Sequence, residues 1–456
     1  MKRNIVLSVA VAVLTGSLYA ADDLGSMFSE GKMSGQVRMF YIDRDYSGFS
    51  GAVHRNGTAI GGHLKFETAA YKGLSFGVAG YTTNRIFRGL EYGDSNEGKV
   101  DPSLFGTGYE SYTILGEAYI YYDLSQFGTK TAAKLGYQRY DVPMMGSDDA
   151  RMLPNTFEAY KFTNSDLENV VFQVAQVNRI AYGTFSNIYG GGILGATAGY
   201  PVQGNVGTGK YRNIGEAAVG EHTDGVTNAM VSFKNRNFHA KLSNDYAWDL
   251  YNTLYADAGA SWNCLLNDSV KPFVAVQVIK QDNVGDNYMK YAPMGGDGEI
   301  DSLYFAGKIG AKFYGLMAYA AYSQTGANDA GDTSYQNAII SQFGGMPAFT
   351  QGMVTRHQFL AGTSAYKAAG AYSFKEQGVN LSAALYYVSF DMDEHNGYSA
   401  NHAWRASEPG FDIKYYPASV KNLQLRLRGN FPNKFYESDV KEVSWNEYRF
   451  IVNYNF

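Results

Sequence analysis

One cysteine, Cys264, stands among 456 residues, so no disulfide can staple the chain internally. Its own reading is a small apolar side chain at a strand end. Proline is scarce, 10 against 52 glycines, which leaves room for many uninterrupted strands joined by turns. Positive charge is not in excess either: 38 Lys and Arg face 43 Asp and Glu, a balance that argues against nucleic acid as a partner. After the N-terminal segment no run of about 18 apolar residues occurs, so no transmembrane helix is predicted.

The signatures of catalysis are missing as well. Gly73-Leu74-Ser75-Phe76-Gly77 matches a hydrolase nucleophile elbow in its letters, but it opens a predicted strand, whereas an elbow needs a strand before it and a helix after it. The seven histidines (His54, His63, His222, His239, His357, His395, His402) are scattered; His63 and His239 fall on polar strand faces without an obvious serine partner. No His-Glu-x-x-His zinc helix occurs, and Gly190-Gly191-Gly192 lacks the Lys-Ser/Thr of a phosphate loop. Asp391, Asp393, Glu394 and His395 read as a solvated loop edge before they read as a cation site. The chain reads as a non-enzyme, with no cofactor and no metal.

What is present begins at the N-terminus. Lys2 and Arg3 precede an apolar stretch from Ile5 to Leu14 and a small-residue exit through Gly16, Ser17 and Ala20, the pattern of a secretory signal peptide, too short to span a bilayer. Residues 1–20 are thus expected to be the leader and 21–456 a single exported domain. Aromatics are abundant, 38 Tyr, 27 Phe and 4 Trp, as in strand-rich proteins. An exported chain without a spanning helix leaves two options: a soluble β-protein, or a transmembrane barrel whose segments alternate apolar and polar.

Alternation is plain along the chain. Ile60, Gly62, Leu64 and Phe66 share one face while His63, Lys65 and Glu67 share the other; Leu423, Leu425 and Leu427 alternate with Gln424, Arg426 and Arg428. The last segment sets Asn446, Tyr448, Phe450, Val452, Tyr454 and Phe456 against Glu447, Arg449, Asn453 and Asn455, with Ile451 the one apolar exception. A soluble sandwich would alternate too; the rhythm of connections favours the barrel. Strands are predicted near 34–44, 58–70, 74–84, 113–123, 130–140, 156–163, 168–180, 226–234, 238–248, 253–263, 271–281, 301–312, 316–325, 356–374, 379–391, 410–417, 422–431 and 444–456. They number eighteen, joined alternately by short connections such as Tyr71 to Gly73 and long ones such as Ala181 to Gly225 or Ala327 to Thr355. Short periplasmic turns and long extracellular loops are the asymmetry of outer-membrane barrels. The fold class is therefore all-β, a transmembrane antiparallel barrel in the outer membrane of a Gram-negative bacterium, in contact with its lipid.

The run Asp148-Asp149-Ala150-Arg151-Met152-Leu153-Pro154-Asn155-Thr156-Phe157-Glu158-Ala159-Tyr160 resembles the Leu-Pro-Asn-Thr-Phe-Glu segment of the OprD family of outer-membrane porins, and Gly35-Gln36-Val37-Arg38-Met39-Phe40-Tyr41 is similar to that family's opening. The terminal Phe456, closing an aromatic strand, resembles the signature that outer-membrane proteins present to the barrel-assembly machinery. The resemblance implies a monomeric eighteen-stranded channel, loops folded into the lumen, and a ladder of basic wall residues guiding carboxylate-bearing solutes.

The residues that match such a ladder are Arg426 and Arg428 on the polar face of the seventeenth predicted strand, Arg449 on the eighteenth, Arg38 on the first and Lys65 on the second. Barrel closure makes these strands neighbours. Arginine in the lipid midplane would cost about 2–4 kcal/mol, so the lumen is the favoured side. One reading makes the arginines a track for carboxylates, which guanidinium binds bidentately. The other has them brace the wall by pairing with acids such as Glu67 and Glu447. Arg38 is the awkward member, since Phe40 and Ile42 share its face. Asp148, Asp149 and Arg151, with Met144 and Met145 nearby, are the constriction candidates in the third long loop, 141–155. If that loop turns inward, acids facing a basic wall would set up a transverse field; if it does not, Gly146-Ser147-Asp148-Asp149 is ordinary turn chemistry.

The functional expectation is a porin, a passive channel for small charged or zwitterionic solutes such as carboxylates and amino acids. The alternative is a structural or adhesive barrel acting through its extracellular loops. A sugar channel with Tyr119 and Tyr121 as a stacking slide ranks lower, because barrel tyrosines are more often rim girdles.

Overall fold

In a computed structural model, the structure describes residues 21–48, 54–86, 100–186, 209–286, 299–332, 334, 336–345, 347–399 and 401–456. Eighteen long strands form one antiparallel sheet: β1 (Lys32–Ser47), β2 (His54–Glu67), β3 (Leu74–Arg85), β4 (Tyr112–Asp123), β5 (Thr131–Gln138), β6 (Thr156–Asn164), β7 (Val170–Ala181), β8 (Val226–Lys234) and β9 (Phe238–Ala247), then β10 (Tyr251–Ser261), β11 (Val270–Asn283), β12 (Asp301–Phe313), β13 (Leu316–Thr325), β14 (Ser364–Ser373), β15 (Leu381–Met392), β16 (Trp404–Tyr415), β17 (Leu423–Asn430) and β18 (Lys441–Asn455). Each pairs with its sequence neighbours, and β18 returns to β1 with Gln36 opposite Asn455 and Ser47 opposite Ser444. The sheet is therefore a closed barrel with no free edge. Two short strands, Arg212–Asn213 against β7 and Tyr436–Ser438 against β18, ornament the loops.

Alternation decides which way each side chain points. Val37, Leu64, Val78, Val276, Ile309, Leu385 and Leu427 lie on the exposed outer surface, the face that meets lipid in an outer-membrane barrel. The inner face carries the buried polar set, Arg38, Glu117, Gln277, Glu408 and Arg449 among them. At the seam a Cβ on Gly35 would come within 2.7 Å of the Phe456 ring, so glycine there lets the last residue close onto the first strand, where the Gly35 and Phe456 backbones exchange hydrogen bonds. A short helix, α1 (Leu24–Ser29), capped by Asp23, precedes β1 and buries Met27 against Ala21 and Ala69.

Most predicted strands fall within a few residues of the observed ones; two segments differ. Positions 356–363 belong to a lumenal loop, with a 3-10 helix at His357–Phe359, and only Ser364–Ser373 is strand. That stretch reads as strand because Phe359, Leu360 and Ala361 are buried, but they are buried inside the barrel by a loop, and Gly362 at φ 68° breaks the path. Conversely β16 starts at Trp404, six residues before the predicted 410. Pro409, which suggests a break, lies just beyond Gly410–Asn430, the last β16–β17 pair, and the Pro409 carbonyl accepts from Phe431 instead. Cys264 is a free thiol in the turn after β10, not on a strand.

Candidate functional site

The third loop, between β5 and β6, enters the lumen. Its Met152 and Leu153 pack on Phe40 and Ile42 of β1 and Ile451 of β18, which explains why these strands break their alternation: their apolar inward residues face a loop, not water. Arg38 donates through Nη1 to Asp149 Oδ1 (2.6 Å) and to the Arg151 carbonyl (2.5 Å), and through Nε to Asn453 Oδ1 (2.8 Å). Asp149 thus rests on the basic wall, a correction to the picture of an acid facing it across the lumen. Burial would raise its pKa, but the charge and hydrogen bonds of Arg38, with Arg139 and His63 close by, hold it below the ordinary carboxylate value. Asp148, at φ 41°, turns the other way, toward the seventh loop (326–363), accepting from the Gly345 N–H at 3.4 Å with Arg356 Nη1 4.0 Å away. Burial pushes the Asp148 pKa up against the pull of Arg356.

Arg151 is fully buried. Its Nη2 lies 3.2 Å from Glu447 Oε1 and its Nε donates to Ser103 Oγ. Glu447 also receives Arg44 Nε at 2.8 Å and Arg449 Nε, and Arg44 reaches on to Asp101 at 2.7 Å. Three arginines from β1, the third loop and β18 therefore converge on one carboxylate that is itself 0% exposed. Such a knot is tied from all sides: removing a partner would leave buried charge uncompensated.

Further along the wall the pattern opens. On β17, Arg426 grips Asp412 of β16 with two hydrogen bonds, 2.7 and 2.5 Å. Arg428, opposite Arg449 on β18 and Asp412 on β16, stands 3.8 Å from Asp412 and makes no hydrogen bond among the described residues; its buried Nε is unpartnered. Lys414 lies 3.8 Å from Asp412 with over a third of its side chain exposed. On the opposite flank Lys65 pairs with Glu67 (3.1 Å) and Glu117 (3.5 Å), and Lys134 sits 3.8 Å above the Tyr119 ring. The five ladder candidates thus occupy neighbouring strands, but with different partners: Arg38, Arg426 and Arg449 are engaged, Lys65 is shared between two acids, and Arg428 is open.

Sequence reasoning passed over Arg44, Asp412, Lys134 and Glu408. Their signal was alternation itself: each lies on the same strand face as a residue already singled out, or on the matching face of the next strand. His63 stacks on Tyr81 at 5.0 Å, and His239 lies 3.5 Å from Asp257. Tyr119 faces the lumen and donates to Glu67 at 2.5 Å. Asp391 is taken by Arg405 at 2.5 Å, and His395 lies near Asp393; among the described residues no cluster of three or more potential ligands is placed to hold a metal. Ser75 is the second residue of β3. Gly190 to Gly192, and with them half of the fourth loop (187–208), lie outside the described residues.

The model of the family described as outer membrane porin, OprD family, matches residues 26–456. No curated protein matches the chain. Among solved structures, Pseudomonas aeruginosa OccK9 (OpdG) superposes with a TM-score of 0.71 at 17% identity, covering 94% of this chain and 100% of that one. P. aeruginosa OpdK with vanillate gives 0.70 at 15%, covering 94% and 99%. A BenF-like porin from Pseudomonas fluorescens Pf-5 gives 0.72 at 14%, again covering 94% and 99%. Identities this low carry the fold alone, while the family model spans nearly the whole chain. The chain belongs to the OprD family of outer-membrane porins.

Proposed function

We propose that this porin passes small solutes bearing a carboxylate, and that the β16–β18 wall guides them, with Arg428 as the residue that meets the carboxylate. The observation that carries this reading is the unequal pairing of the wall: the buried Nε of Arg428 has no hydrogen-bond partner, 3.8 Å from a carboxylate already gripped by Arg426. A buried donor left unpaired costs about 1–3 kcal/mol, and a solute carboxylate would relieve that cost through charge-assisted hydrogen bonds. Arg38, Lys65, Arg426 and Arg449 shape the field around it, while Asp148, Asp149 and Arg151 hold the constricting loop. Vanillate, named with one structural neighbour, belongs to the solute class this reading favours. Zwitterions such as amino acids fit the same wall if an acid opposite holds the amine.

The chain acts as a monomer in this reading, with no enzymatic step, and Phe456 is the residue offered to the assembly machinery. Removing the leader after Ala20 frees a mature domain from Ala21. Planar-bilayer recording of refolded protein under a salt gradient tests the proposal. Discrete openings whose anion preference falls in Arg426→Gln/Arg428→Gln would support it; a folded double variant with unchanged reversal potential would sink it. A folded protein that inserts and never conducts would move the reading to an adhesive or structural barrel.

A further inference from the structure

The seventh loop is sewn to the inner wall along β11 to β16. Gln281 exchanges two hydrogen bonds with the Ile340 backbone (2.6 and 2.8 Å), Ser302 Oγ donates to the Ala338 carbonyl (2.5 Å), and Thr325 Oγ1 to that of Gln358 (2.5 Å). Its turn at residues 352–355 is held differently. Glu408 of β16, 0% exposed, accepts from the backbone N–H groups of Met353 (2.6 Å), Val354 (3.3 Å) and Thr355 (2.7 Å), and from the Tyr386 hydroxyl. No lysine or arginine forms an ion pair with it among the described residues; three consecutive amides and one phenol supply its hydrogen bonds, with the charges of Arg356 and Lys367 acting from farther off. The neighbouring Lys367 donates to the Gln351 carbonyl at 2.6 Å, fixing the entry to the same turn. Contact is so close that a Cβ on Gly352 would lie 2.8 Å from Glu408 Oε2.

Glu408 lies four residues along β16 from Asp412, on the same lumenal face and toward the extracellular end, about 13 Å away at strand spacing. The turn it grips therefore stands above the Arg426 and Arg428 row. We propose that Glu408 is a positioning residue for permeation: it touches no solute, and by anchoring the 352–355 turn it sets the width of the approach to the basic wall. The inference rests on the pore reading but not on the identity of the solute.

The test is single-channel conductance together with the size cut-off for neutral sugars in liposome swelling, on the full chain. Glu408→Ala should release the turn, raising conductance about twofold and admitting larger sugars, with the folded barrel still resisting unfolding by SDS at room temperature. Glu408→Gln, which keeps one acceptor but turns two donors toward the amides, should fall between. Gly352→Ala approaches from the loop side, pressing a methyl into the carboxylate, and should widen the pore in the same direction. The pair Gly352→Ala/Glu408→Ala should be no wider than Glu408→Ala alone, since the clash and the anchor vanish together. If Glu408→Ala does not fold, Gly352→Ala decides. Folded variants with wild-type conductance and cut-off would overturn the proposal, whereas a wild-type protein that never conducts would instead overturn the pore reading beneath it.

Discussion

Two sets of arginines meet at the same wall and are partnered differently. Arg44, Arg151 and Arg449 share Glu447 in a knot sealed from solvent, whereas Arg426 and Arg428 share Asp412 at the edge of the lumen. The residue type and the neighbourhood are alike; what differs is how much carboxylate each set has and how much loop lies over it. Where the third loop lies on the wall, charge is consumed by structure. Where it does not, the buried Nε of Arg428 is left without a hydrogen-bond partner.

The comparison breaks most sharply at Glu447. Glu447→Ala leaves three buried arginines without their shared partner, and unfolding in urea should show a loss of about 3–5 kcal/mol; a loss under about 1 kcal/mol would mean that water reaches the knot. The reciprocal change at Asp412 should spare stability and alter transport: Asp412→Asn frees Arg426 as well as Arg428, so the reversal potential should shift toward anions, opposite in sign to the shift expected for the Arg426→Gln/Arg428→Gln pair. Asp149→Asn comes next. It loosens the third loop from Arg38 and should raise open-channel noise, with a destabilisation of about 1–3 kcal/mol.

The smallest effect tests the seventh loop by pH. His357 is buried among Phe390, Trp404 and Phe435, its Nε2 2.6 Å from the Phe435 carbonyl, and burial pushes its pKa down to about 4, below the ordinary value of 6.5. Its neutral form belongs to the docked loop, so its contribution is complete above pH 6.5 and fades as pH falls from there toward about 4. Channel flicker should rise over that window in the wild type and lose that dependence in His357→Phe; identical pH profiles would remove His357 from the account.

Most of the barrel was legible in the sequence because alternation has one cause, a lipid face and a lumen face. That the ladder candidates share the inner face of neighbouring strands was legible for the same reason. Their partners were not. Phe40, Ile42 and Ile451 looked like flaws in a polar face until Met152 and Leu153 were found against them. Similarly, 356–363 looked like strand because a loop buried inside a barrel shows the same apolar content as a strand that forms its wall. Glu408 was invisible as an anchor: a lone acid on an inward face reads as hydration, and nothing in the local sequence announces three amides from a loop more than fifty residues earlier.

Closure has a kinetic consequence. Arg38 and Asn453 are 415 positions apart in the chain yet joined by a hydrogen bond, and β1 has its full set of neighbours only once β18 arrives. Contacts of such range are slow to form, so the first strand must wait with one edge bare until the last is delivered. The lumenal loops, whose footholds include that seam, can settle only afterwards. Assembly of this chain should end in a single late step, and a chain lacking β18 should accumulate as an open sheet with two sticky edges.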